Sequence, residues 1–279
     1  MSARALLAAL MMLWAAPALA EPPAATPIVI GQSYRLPSKA LGAERTINVY
    51  TPASYAGGGK RYPVLYLLDG GTDQDFHHIT GLAQLGGFPW GSMEEIIVVG
   101  VETVDRRKEL TSPTADPALQ KEFPTAGGAA DFRRFIADEV EPFVDAHYRT
   151  SGDTGVLGES FAGLFVVETF LRAPGTFDRY VAISPSLWWD NESLSKEAAD
   201  LLAKQDGDKR SLWLSIGDEG REMQSGMDRL VAALKAGAPA SLDWRYEPRH
   251  DQSHSSIYHA TAYEALRAFY PKPDTEGSR

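Results

Sequence analysis

The chain of 279 residues contains no cysteine. That absence excludes disulfides, thiolate metal sites, cysteine nucleophiles and a lipid-anchored N-terminal cysteine. Positive charge is also scarce, with 27 Lys and Arg against 37 Asp and Glu for a net charge of −10. A nucleic-acid binder carries a basic face to neutralise phosphates, so nucleic acid is set aside as a partner. Long apolar runs are missing too. The longest, residues 5–16, is too short to cross the ~30 Å of bilayer hydrocarbon. Repeats and low-complexity tracts are absent, and a 44% hydrophobic, 23% charged composition is that of a globular protein.

The apolar run near the start has a different use. Arg4 precedes it, and Ala18-Leu19-Ala20 follows with the small residues that a signal peptidase requires. Residues 1–20 therefore read as a cleavable secretory signal, which predicts a periplasmic or secreted protein with no membrane span after cleavage. A chain without thiols suits such an oxidising compartment. Residues 21–44 read as a leader with one or more edge strands, 45–270 as the main domain, and 271–279 as a polar tail.

Within the main domain, residues 63–68 and 95–101 are nearly continuous apolar runs, the pattern of strands buried on both faces. Further strands are expected at 45–50, 154–157, 180–183, 212–216 and 242–246. Helices are expected at 74–85, 161–171, 193–204, 222–235 and 256–269. Phe132, Phe135, Ile136, Val140, Phe143 and Val144 recur at spacings of three and four, so 129–148 reads as an amphipathic helix that Pro142 must kink or restart. Strands alternating with helices predict a doubly wound α/β domain, its sheet mostly parallel with helices on both faces.

Val156-Leu157-Gly158-Glu159-Ser160-Phe161-Ala162-Gly163 lies where a short apolar strand meets an apolar helix, the setting of a nucleophile elbow. Gly158 and Ala162 are the small residues such a turn needs. Ala162 departs from the usual G-x-S-x-G, and the plain alternative is a serine that merely caps a helix. A serine nucleophile needs a base. In α/β hydrolases the order is serine, acid, histidine, which leaves His250, His254 and His259. His254 sits in the polar loop before the last helix and is the favoured base, with His250 as the alternative. The acid should follow the strand at 212–216. Glu219 is favoured there, with Asp218 and Glu222 as alternatives, and at least two of the three would equally suit the start of a helix. For the oxyanion hole, Phe161 would give one backbone N–H, and Gly70 or Gly71 the other.

The string Tyr62-Pro63-Val64-Leu65-Tyr66-Leu67-Leu68-Asp69-Gly70 resembles the early strand of the esterase family that holds esterase D, the enterochelin and bacillibactin esterases of Fes and IroE type, some feruloyl esterases and the mycolyltransferases. Val98-Val99-Gly100-Val101 with Arg106, Arg107, Leu110 and Thr111, the elbow, Ser184-Pro185-Ser186-Leu187-Trp188-Trp189 and the loop around His254 extend the resemblance over roughly 45–270. It implies the α/β-hydrolase fold and hydrolysis of a small-molecule ester through an acyl-enzyme on Ser160, with no cofactor and no metal. A siderophore trilactone is the substrate it points to first, with acetyl or feruloyl esters or acyl transfer as alternatives and a non-catalytic binding protein as a third reading. Arg106 and Arg107 would offer charge to such a substrate, and Trp188, Trp189 and Tyr258 flat faces.

Overall fold

The computed structural model describes residues 24–205 and 207–272. The secretory signal expected at 1–20, and all but the start of the polar tail expected at 271–279, lie outside the described residues. Residues 24–30 have no regular secondary structure, and from Gly31 onward the chain forms one unit.

The apolar runs become the inner strands of an eight-stranded sheet. Its strands are β1 (Gln32–Ser38), β2 (Ala43–Tyr50), β3 (Tyr62–Leu68), β4 (Ile97–Val101), β5 (Thr150–Glu159), β6 (Arg179–Ile183), β7 (Arg210–Ser215) and β8 (Leu242–Tyr246), in the order β1-β2-β4-β3-β5-β6-β7-β8. β2 runs antiparallel to its neighbours β1 and β4, and every other pairing is parallel. All residues of β3 and β4 are buried, as expected of strands covered on both faces. The doubly wound, mostly parallel sheet expected from the sequence is therefore present.

Alternate residues of each strand feed two apolar layers. Val64, Tyr66 and Leu68 face one layer, while Leu65 and Leu67 face the other. The first layer is covered by α2 (Arg106–Leu110), α3 (Pro117–Glu122), α4 (Ala129–Phe135), α5 (Glu141–His147), α6 (Phe161–Arg172), α7 (Trp189–Leu202) and α8 (Arg221–Gly237). The second is covered by α1 (Phe76–Gly87) and α9 (Ile257–Phe269). Phe132, Phe135, Phe165 and Phe170 are fully buried in the first layer, each contributing roughly 1.5–3 kcal/mol relative to exposure.

The helix expected at 129–148 forms in pieces. A π-helical turn, Ile136–Val140, separates α4 from α5, and Pro142 falls in the first turn of α5. Helical backbone continues through Val140 and Glu141, so the missing proline N–H interrupts the bond ladder directly after the π-helical turn. In α7 the residues Asp190, Asn191 and Glu192 have left-handed φ values of 48°, 54° and 59°. This break explains why the apolar pattern predicted a start only at 193. No helix among the described residues is long and apolar enough to cross a membrane.

Candidate active site

Ser160 links β5 to α6 with φ 60° and ψ −118°. A non-glycine residue held there costs about 1–3 kcal/mol, and such strain collects at functional sites. Although Ser160 occupies the cap position of α6, its hydroxyl makes no capping hydrogen bond. The backbone is pinned on both sides: the Ser160 N–H donates to the Ile183 carbonyl at 3.0 Å, and the Ser186 N–H donates to the Ser160 carbonyl at 3.1 Å. A Cβ on Gly158 would lie 2.6 Å from the Ala162 Cβ, and one on Gly163 would lie 2.8 Å from the Ile183 carbonyl. The methyl of Ala162 fits because Gly158 has none, and Gly163 lets α6 press onto β6.

Across the cleft, His254 Nδ1 lies 2.6 Å from Glu219 Oε2. The imidazole is half exposed while the Glu219 side chain is 3% exposed. Glu219 Oε1 accepts hydrogen bonds from the Ser184 hydroxyl and, at 3.1 Å, from the Gly217 N–H. Burial alone would disfavour the Glu219 anion, but the bonds from His254, Ser184 and Gly217 outweigh it and hold its pKa below the usual carboxylate value. The bond to Glu219 pushes the His254 pKa above 6.5, against the opposing effect of partial burial.

The structure also separates the three acids. Asp218 is exposed, and its N–H donates to the Gln252 carbonyl at 2.7 Å, which ties the acid loop to the histidine loop. Glu222 stands in the first turn of α8, at a hollow that Asp190 and Glu192 also line beyond Trp188. His250 is exposed in a different hollow with Arg221 and Asp228.

Ser160, Phe161, Ser186, Trp188, Met223 and His254 line one cleft of about 580 Å³, open between the carboxyl ends of the strands. Ligands of open α/β sheets bind at such an edge. Ser160 Oγ lies 3.4 Å from Ser186 Oγ. Phe161 begins α6, so its N–H has no acceptor within its own helix. Gly71 donates its N–H to the Gln74 side-chain oxygen at 2.9 Å, and Gln74 Nε2 in turn donates to the Thr103 carbonyl and hydroxyl at 3.0 and 3.1 Å.

Three expectations are corrected. Gly70 donates its N–H to the Val101 carbonyl at 2.9 Å, which commits that group to the sheet and leaves Phe161 and Gly71 as the candidate oxyanion donors. Trp189 is 3% exposed, and its indole N–H donates to the Ser112 carbonyl at 3.0 Å within the core, so Trp188 alone of the two tryptophans lines the cleft. Tyr258 is buried in the layer between α9 and the sheet, with its ring 5.2 Å from that of His78. An aromatic residue in a loop or first helical turn can pack inward as readily as outward, which is why sequence alone misplaced both.

Arg107 is exposed, with its guanidinium 5.4 Å from the Phe123 ring. Arg106 is largely occupied by the protein itself. Its Nε donates to Asp69 at 2.7 Å, one terminal nitrogen donates to the Glu159 carbonyl at 3.1 Å, and its guanidinium sits 5.6 Å from the Phe161 ring. Around this arginine lie two carboxyls that the sequence reading passed over. Burial raises Glu159 to about 7, with His254 opposing the shift, and raises Asp75 to about 6, with Asp69 adding to the shift. Ser184 and Ser186 stand in the loop after β6 at the carboxyl edge, Ser184 on Glu219 and Ser186 beside Ser160. Their position directly after a buried strand, as for Ser160, was the available signal.

Comparison with known proteins gives a consistent pattern. The profile of the family described as "Putative esterase" matches residues 38–266. The ferri-bacillibactin esterase BesA of Bacillus subtilis is 30% identical over 195 residues, 64% of this chain and 65% of that protein. The siderophore enterobactin esterase of Emericella nidulans is 36% identical over 123 residues, covering 39% of this chain and 41% of the relative. The chain thus spans less than two-thirds of the length of these curated relatives. Among solved structures, an IroE-like serine hydrolase from Shewanella oneidensis superposes with a TM-score of 0.77 at 26% identity, covering 86% of this chain and 80% of the other.

Proposed function

Taking as given that this chain belongs to the Putative esterase family, within the α/β hydrolases, we propose that it is an exported serine esterase acting on siderophore-type esters. The observation that carries this reading is the 2.6 Å contact between His254 Nδ1 and Glu219, on the same cleft as a serine held at φ 60°.

The mechanism follows from those positions. The Ser160 hydroxyl turns from Ser186 toward the free Nε2 of His254, gives up its proton, and its oxygen bonds to the ester carbonyl carbon. Glu219 accepts from Nδ1–H, fixes the tautomer and stabilises the imidazolium. The N–H groups of Phe161 and Gly71 receive the developing oxyanion. Collapse breaks the carbon–oxygen bond, and His254 returns the proton to the departing alkoxide. A water, deprotonated by His254, then attacks the acyl-enzyme and releases the acid together with free Ser160.

The substrate assignment draws on the two siderophore-esterase relatives. A second reading, neutral acetyl or feruloyl esters, is favoured by the hollow beyond Trp188, where Asp116, Glu122, Asp190, Glu192 and Glu222 outnumber Lys196. Such a field repels a trianionic ferric complex. The test is hydrolysis of p-nitrophenyl esters and labelling by a fluorophosphonate, for the wild type and Ser160→Ala. The esterase proposal predicts activity and labelling in the wild type and neither in the variant; a wild type that does neither overturns it. A panel of apo-siderophore, ferric siderophore and sugar esters separates the two substrate readings.

A further inference from the structure

Ser184 follows β6 directly, as Ser160 follows β5, and it too has positive φ, 43°. It is fully buried. Its N–H donates to the Ser215 carbonyl at 2.8 Å, which fixes its backbone to the end of β7, just before the turn that carries Glu219. Its hydroxyl donates to Glu219 Oε1, the carboxylate oxygen that does not face His254. We propose that Ser184 is a positioning residue: its hydroxyl, with the Gly217 N–H, clamps Oε1 so that Oε2 stays on His254 Nδ1.

Geometry sets the need for this clamp. A carboxylate turns about its last carbon–carbon bond over a broad, shallow range. One bond from Oε2 leaves that rotation free, while two donors on Oε1 from separate backbone segments stop it. A nearly buried carboxylate also needs its oxygens satisfied, and losing a donor to an ionised acceptor carries a large cost. With φ at 43°, the turn at Ser184 aims its hydroxyl at Glu219. The sequence places Ser184 after a buried strand; β6, β7 and the loop after β7 bring it to Glu219.

The inference rests on the esterase reading for its kinetic consequence but not for its geometry, and the test has an arm for each. Ser184→Ala removes the hydroxyl, and Ser184→Gly removes it while relieving the φ of 43°, so a well-folded variant is in hand. Both should lower kcat for a p-nitrophenyl ester by about 10- to 100-fold, with KM changed by less than about twofold. The acid limb of kcat/KM should move to lower pH, because an unclamped Glu219 turns away from His254 Nδ1 and its raising effect on the His254 pKa weakens; Glu159 and Arg106, which also act on His254, are unchanged. In NMR spectra, the low-field proton of His254 Nδ1–H should weaken and the His254 titration should fall toward 6.5. Retention of wild-type kcat by either variant overturns the proposal. So does a lower kcat with the His254 resonance and titration unmoved, the outcome of a merely structural role. If the wild type hydrolyses nothing, the esterase reading falls, and the NMR arm alone decides on Ser184.

Discussion

At the carboxyl ends of β3, β5 and β6, Asp69, Ser160 and Ser184 all have positive φ, whereas toward the amino ends of β5, β6 and β7 the charges are matched and the backbone is relaxed. There Arg179 Nε donates to Asp153 at 2.8 Å, Arg210 pairs with Asp208 at 3.2 Å, and the left-handed residue is Gly152, which bears no such strain. The two ends have hollows of similar size, about 580 Å³ against about 560 Å³. Size therefore does not distinguish them. Strained serines and a histidine bonded to a buried carboxylate do, since such backbone strain costs stability and collects at functional sites.

Five substitutions test the contrast, from the largest effect to the smallest. Ser160→Ala should lower ester hydrolysis by about 10⁴-fold or more, and Ser160→Gly should lose activity equally while gaining about 1 kcal/mol in unfolding free energy, because glycine takes φ 60° freely. Urea titration alongside the ester assay checks both; a destabilised glycine variant would break the comparison. Glu219→Gln should cost about 10²- to 10⁴-fold in kcat. Its acid limb should also shift to lower pH, because His254 loses the charged hydrogen-bond partner that raises its pKa, which a pH–rate profile reads directly.

Glu159→Gln tests the buried carboxyl next to the nucleophile. In the folded chain Glu159 titrates near 7, above about 4.3 in the unfolded chain, so the folded state holds the extra proton. Its contribution is complete below about pH 4 and is lost as the pH rises through 7. Thermal melts of the glutamine variant should fall less between pH 5 and 8 than those of the wild type. At the opposite end, Asp153→Asn weakens a partly exposed ion pair and should cost up to about 1 kcal/mol with activity unchanged. A large loss of activity there would erase the distinction between the two ends.

Much of this framework was legible in the sequence. β3 and β4 stood out because strands covered on both faces must be apolar throughout, and α6 because its apolar residues follow directly on the serine turn. β1, whose buried and exposed residues are mixed, gave no comparable signal. Neither did α2 and α3, too short to show a period. Asp218, Glu219 and Glu222 were inseparable by spacing, since at least two of the three suit the start of α8. They separate in space because Gly217 donates to Glu219 and the Asp218 backbone is drawn to Gln252. Trp189 and Tyr258 were misplaced because residue type does not reveal which way a side chain packs.

The sequence by itself determined the alternation of strands and helices, the apolar interior of the sheet and the small residues around Ser160, because these depend on periodicity and volume along the chain. It also excluded a thiolate nucleophile, since the chain has no cysteine. The tertiary structure alone decided which carboxylate meets His254, that the Gly70 N–H is committed to the sheet and that Ser184 holds Glu219. Those contacts join residues up to 35 positions apart through the ends of different strands, and only parallel pairing of the sheet brings such ends side by side.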